Sequence, residues 1–200
     1  MGSDGLRPEP ALIAQYQSQV HDALCTVSTE PIVEALEALR QVHGRRGTVF
    51  VLSPPEGGGT AERLAQELER GIAAGPFRFL LVRLPGTPRL VASWQNDWAY
   101  EDIYVRQLQG VAHPGDVAMA ISPQGQSAGL ARGLETARRA GAVGIGMVGF
   151  DGGLLREASN ICLHVRCERV EQVEDVQLML VHILSVTLRR LLGPGHEAAT

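Results

Sequence analysis

The chain has no lysine. All 18 of its basic residues are arginine, and that one absence removes three chemistries. A Schiff base needs an amine that can lose its proton, pyridoxal phosphate is tethered through such an amine, and the P-loop grips phosphate with one. A high-GC genome suffices to explain the bias, but the exclusion holds whatever its origin. Cysteine is scarce too. Cys25, Cys162 and Cys167 show no paired metal-ligand spacing and read as reduced thiols. No basic run occurs and the net charge is -4, which argues against nucleic acid as a partner. No apolar stretch approaches the length of a membrane span, and the start "MGSDGLRPEP" is polar with no signal-peptide core. The expectation is a cytoplasmic protein with neither a membrane nor a nucleic-acid partner.

What is present fits one globular domain: 200 residues, 44% of them hydrophobic. Two helical patterns come first. "PALIAQYQSQVHDALCTV" and "EPIVEALEALRQVH" space their apolar residues three and four apart, and Thr29-Glu30-Pro31 offers the second an N-cap and an early proline. Five short apolar runs follow, "GTVFVLS", "FRFLLVRL", "DVAMAIS", "AVGIGMVG" and "NICLHV", each separated from the next by helical or irregular sequence. Apolar strands joined through helices predict a parallel sheet covered on both faces. From about Glu168 to Leu192 the pattern predicts one long helix, stopped by Gly193-Pro194. The fold class is therefore α/β, a doubly wound sheet with an N-terminal helical pair. Residues 1–10 are expected to be a flexible start, 11–192 the domain and 193–200 a flexible tail.

Ligands of such folds collect at the carboxyl ends of the strands. Three segments qualify: the loop after "VFVLS", the stretch "SPQGQS" after "DVAMAI", and "GFDGG" at residues 149–153. The second holds two hydroxyls and two amides around one glycine. That composition suits a ligand-binding turn and equally an ordinary solvated one.

The order of the pieces "WQNDWAYEDIYVRQL", "HPGDVAMAISPQGQSAGLARGLETARRAGAVGIGMVGFDGG" and "VEQVEDVQLMLVHIL" resembles the SIS (sugar isomerase) family. The branch is that of the phosphoheptose isomerases and their relatives that bind the replication initiator, and the resemblance runs from about Ala11 to Leu192. It implies a flavodoxin-like, five-stranded parallel sheet. It also implies a homotetramer whose sites lie between subunits, with a sugar phosphate held by Ser/Thr-rich loops. By the same resemblance, Glu67 and His182 are the proton-transferring pair of an aldose–ketose isomerisation. Those residue types suit the reaction. A carboxylate can take the proton beside a carbonyl, and an imidazole can serve the oxygens of the enediol. Taken without the resemblance, spacing favours Glu67 as a solvated helix residue and His182 as a hydrogen-bonded histidine in an apolar helix.

The chain departs from the family's pattern at instructive places. Where the family usually has a first phosphate loop like "GNGGSA", this chain has "SPPEGG", Ser53 to Gly58. Pro54 and Pro55 lack N–H donors, and Glu56 puts a negative charge where an anion would sit. Gly57, Gly58 and Thr60 remain as donors at a helix start. In the second loop Ser122, Gly125 and Ser127 persist, while Pro123 and Gln124 replace hydroxyls; the Gln124 amide can still donate. Asp97, in "QNDW", matches an acidic residue near the family's site and reads equally as a plain turn aspartate. The zinc ligands of some relatives fall at Arg63, Glu67, Glu174 and His182. Glu67, Glu174 and His182 could hold zinc if it is retained, but arginine is a poor ligand.

The leading expectation is a phosphoheptose isomerase-type enzyme acting on a sedoheptulose 7-phosphate-like sugar. Its site comprises Glu67 and His182, with Ser122, Gln124, Ser127, Gly57, Gly58, Thr60, Asp97 and Glu174 around the substrate. The alternative is a non-catalytic SIS scaffold that binds a sugar or a protein partner such as a replication initiator.

Overall fold

Every residue of the strand Val117–Ser122 is buried, so both faces of its sheet must be covered. A computed structural model describes residues 10–54, 59–73, 80–84 and 100–193 of the chain. Five parallel strands form one sheet: β1 (Thr48–Leu52), β2 (Leu80–Leu84), β3 (Val117–Ser122), β4 (Val143–Val148) and β5 (Ile161–His164). Their spatial order is β2-β1-β3-β4-β5. The α/β class and the parallel sheet agree with the sequence pattern. The two terminal segments, residues 1–9 and 194–200, lie outside the described residues.

Alternation along the strands divides the core in two. Val49, Val51, Met119, Ile145 and Met147 face one cluster. It is completed by α1 (Pro10–Cys25), α2 (Thr29–Gly44), α3 (Gly59–Ala73) and the last helix, α7 (Val170–Leu192). Phe50, Leu52, Ala118 and Ala120 face the other. Here the cover is α4 (Ile103–Leu108), α5 (Ala128–Arg139) and α6 (Gly153–Ala158). A short 3-10 turn, Tyr100–Asp102, leads into α4.

The long helix α7 buries Val173, Val176, Leu180, Val181, Leu184 and Leu188, the three-and-four spacing of one apolar stripe. It begins two residues later than the sequence pattern predicts. In α2 the N-cap position belongs to Ser28, and Thr29 is the first helical residue. The first helix docks on α7 and the segment before it through polar contacts. Tyr16 donates its hydroxyl to Asp175, and Gln19 accepts from Arg169 and Gln172. Toward its N-terminus the helix leaves Leu12 and Ile13 exposed. No helix among the described residues is long and apolar enough to cross a membrane.

Strand order locates the crevice. The chain leaves β1 for β2 on one side, and β3 pairs with β1 on the other. That reversal of strand order between β1 and β3 is where folds of this type place a ligand crevice, at the carboxyl ends of the two strands.

Candidate functional site

Two loops form the rim of that crevice. After β1, Ser53 is 4% exposed, and its carbonyl accepts a hydrogen bond from the hydroxyl of Tyr104 on α4. The packing is close enough that a Cβ at Gly133 of α5 would stand 2.5 Å from Tyr104 Cβ. Tyr104 thus ties the start of the first loop to the helices beneath it. Thr60 follows at the start of α3 and is half-buried. Gly57, Gly58 and Asp97, together with Pro55 and Glu56, lie outside the described residues.

After β3, the stretch "SPQGQS" is built as a rigid turn. Ser122 is buried and its Oγ accepts the Gly125 N–H at 3.2 Å. Ser127 caps α5, its Oγ accepting the Leu130 N–H at 3.3 Å. Each hydroxyl is used here as an acceptor, so its own O–H is left to donate to a ligand. Gly125 has φ +70, and a Cβ there would lie 2.2 Å from the Gly152 carbonyl oxygen. No other residue fits. The turn is bound to the neighbouring "GFDGG" segment. Gly149 N–H donates to the Pro123 carbonyl at 2.7 Å, and Leu155 N–H to the Gly125 carbonyl at 3.0 Å. Gln124 is exposed beside this frame. The start of α5 adds the positive end of a 12-residue helix. The arrangement can receive an anion or a polyhydroxylated ligand.

Glu67 lies deeper, about two turns along α3 from the rim. It is not a solvated residue: 4% of its surface is exposed. Arg189 of α7 donates from Nη1 to its Oε2 at 2.8 Å. Arg63, one turn earlier on α3, brings Nη2 to 2.6 Å from Oε1, and Arg70 brings Nη1 to 3.6 Å. The Arg189 hydrogen bond, then the charges of Arg63, Arg189 and Arg70, hold the carboxyl below its ordinary value against the opposing effect of burial. Glu67 is a carboxylate, ionised and held at both oxygens.

His182 and Glu174 are on α7, His182 exposed and Glu174 half-buried. No hydrogen bond or ion pair among the described residues joins either to Glu67. About two turns beyond His182, Arg189 makes that contact instead. The zinc set of the resemblance does not fit this arrangement. Both Glu67 oxygens carry guanidinium groups, and no three His, Cys, Asp or Glu among the described residues are placed to hold a metal.

Comparison with known proteins decides the family. A phosphoheptose isomerase of Trichlorobacter lovleyi is 30% identical over 164 residues, covering 78% of this chain and 80% of that protein. The chain belongs to the phosphoheptose isomerase family. The family member from Geotalea daltonii is 26% identical over 196 residues, 91% of this chain and 98% of that one. No protein-family profile matches the sequence. Among solved structures, phosphoheptose isomerase GmhA from Neisseria gonorrhoeae superposes with a TM-score of 0.74 at 21% identity, covering 89% of this chain and 95% of its own. The enzyme from Francisella tularensis gives 0.72 at 18%, over 90% and 97%. At these identities the structures show a shared fold.

Two site features carried no signal in the sequence. Arg189 is one arginine among 18, and only its helical phase relative to His182 could have drawn attention to it. Tyr104 sat inside the motif "EDIYVRQL", where its apolar ring reads as core. Its hydroxyl bond to Ser53 needs the fold.

Proposed function

We propose that the protein is a sugar-phosphate isomerase, interconverting the ketose and aldose forms of a sedoheptulose 7-phosphate-like substrate. The observation that carries this reading is likeness to phosphoheptose isomerases along most of the chain. The rim geometry supports it. Ser122, Ser127 and the start of α5 offer hydroxyl and backbone donors to a phosphate, with Gln124 beside them. Thr60 at the start of α3, and by the resemblance Gly57, Gly58 and Asp97, are the further substrate contacts of this reading.

In this reading Glu67 removes the proton beside the substrate carbonyl and returns it to the neighbouring carbon. The arginines keep it in the proton-accepting form at neutral pH, although they also make it a weaker base. His182 serves the enediol oxygens. Because it is exposed and makes no hydrogen bond or ion pair with Glu67 among the described residues of one protomer, the histidine that completes a site in this reading comes from a second copy, with Glu174 on the same helix. The assembly is a homotetramer with the five-stranded flavodoxin-like fold of the family, working in the cytoplasm.

A specific observation favours the second reading, a non-catalytic scaffold binding a sugar or a protein partner. Pro54, Pro55 and Glu56 stand where the family's first loop supplies donors. Solvent-deuterium exchange into candidate ketose phosphates separates the two. Exchange by the wild type, reduced about 10²–10⁴-fold in Glu67→Gln with ligand affinity retained, is the expected result. A ligand that binds yet shows no exchange decides for the scaffold.

A further inference from the structure

The family resemblance implies zinc at the position of Glu67, and here arginines occupy both oxygens of that carboxylate. We infer that Arg63 and Arg189 take the place of a divalent cation, so that this protein binds no metal at Glu67 and uses fixed guanidinium charge to hold that carboxylate. The inference goes beyond the isomerase reading and does not rest on it, since its readouts are metal content and thermal stability.

Three observations carry it. A zinc–carboxylate bond needs a free oxygen lone pair at about 2.0–2.2 Å. Arg63 sits 2.6 Å from Oε1, and Arg189 donates to Oε2 at 2.8 Å. A metal reaching either oxygen would have to share it with a guanidinium already in contact there, or displace that guanidinium.

Charge opposes the metal as well. Three guanidiniums surround one carboxylate, so an arriving dication meets an excess of positive charge. Glu67 is 4% exposed, and water there screens poorly. A histidine in the Arg63 position could turn into a ligand by losing its proton. Arginine stays protonated throughout the pH range in which proteins fold.

The third observation is the source of the arginines. Arg63 shares α3 with Glu67, but Arg189 reaches it from α7, across 122 positions of sequence. The carboxylate is gripped from two elements, as a metal site would be, with N–H donors in place of the cation. Arg63 and Arg189 are therefore positioning residues. They set where the Glu67 oxygens point.

The test uses full-length protein stripped with a chelator and re-equilibrated with zinc, read by elemental mass spectrometry and thermal melting. Wild type and Glu67→Gln are expected to retain the same zinc, and zinc leaves both melting temperatures unchanged. Any zinc held equally by the two lies elsewhere and agrees with the inference. The double variant Arg63→His/Arg189→Gln removes the two shortest guanidinium contacts, leaves only the longer Arg70 contact at Oε1, and adds an imidazole. Zinc should raise its melting temperature by several degrees, and adding Glu67→Gln should abolish the rise. About one zinc per wild-type chain, lost in Glu67→Gln, overturns the inference. A folded double variant indifferent to zinc overturns it too, because the arginines would then not be what keeps metal out. Should the double variant fail to fold, Arg63→His alone is read by the same two outcomes.

Discussion

Arg189 of the last helix donates a hydrogen bond to the buried carboxylate of Glu67 at 2.8 Å. This contact fastens α7 to α3 at the residue on which the proposed chemistry depends. Arg189→Gln leaves Oε2 of a buried charge without its ionic partner. The expected loss is about 1–3 kcal/mol of folding stability, measured by urea unfolding at neutral pH. An unchanged midpoint would show that water replaces the guanidinium at no cost.

The same contact sets an acid dependence. Glu67 has a folded pKa below its ordinary 4.5, chiefly through the Arg189 hydrogen bond. A depressed carboxyl contributes stability that is present above its unfolded value and lost as the pH falls through the folded one. Wild type should therefore lose more stability than Glu67→Gln between neutral pH and about pH 3. Parallel pH profiles for the two proteins would contradict this.

Gly125 is the most constrained residue of the second loop, with φ +70 and the Gly152 carbonyl 2.2 Å from where a Cβ would lie. Gly125→Ala should cost about 2 kcal/mol or more through backbone strain and the enforced separation of the two loops. Ligand affinity should fall with it, because Ser122 and Ser127 are positioned by the same turn. Calorimetry on the folded variant checks the second effect separately from the first.

Glu56 stands in the first loop, where the family pattern has no acidic residue. If it faces the phosphate, Glu56→Gln removes a like-charge penalty and phosphosugar binding tightens. Titration calorimetry giving equal or weaker affinity would place the Glu56 side chain away from the ligand.

The N-terminal part of α1 exposes Leu12 at 61% and Ile13 at 55%, and α7 exposes Ile183 and Val186. In a homo-oligomer such faces are covered by other copies. Light scattering should give a multiple of the chain mass, and Ile13→Glu should shift it downward. A monomer mass for wild type at micromolar concentration would remove both the assembly and the shared site.

Composition and period alone determined the α/β class. Alternate residues of a parallel strand covered on both sides face opposite halves of the core, so "VAMAI" within "DVAMAIS" had to be apolar throughout. Likewise the stripe of α7 followed from spacing within one helix. Ser122, Gly125 and Ser127 were legible for a similar reason, since a turn and a helix cap are made by neighbours in sequence. Tertiary structure decided what Glu67 is. A helix residue with glutamine and leucine beside it could have faced water, and nothing local shows that Arg189, 122 positions away, would close over it. Nor does any local pattern show that His182 would stand exposed while Arg189 took its place at the carboxylate. Burial and ion pairing between helices depend on how α3 and α7 lie against one sheet, and that arrangement exists only once the whole chain has packed.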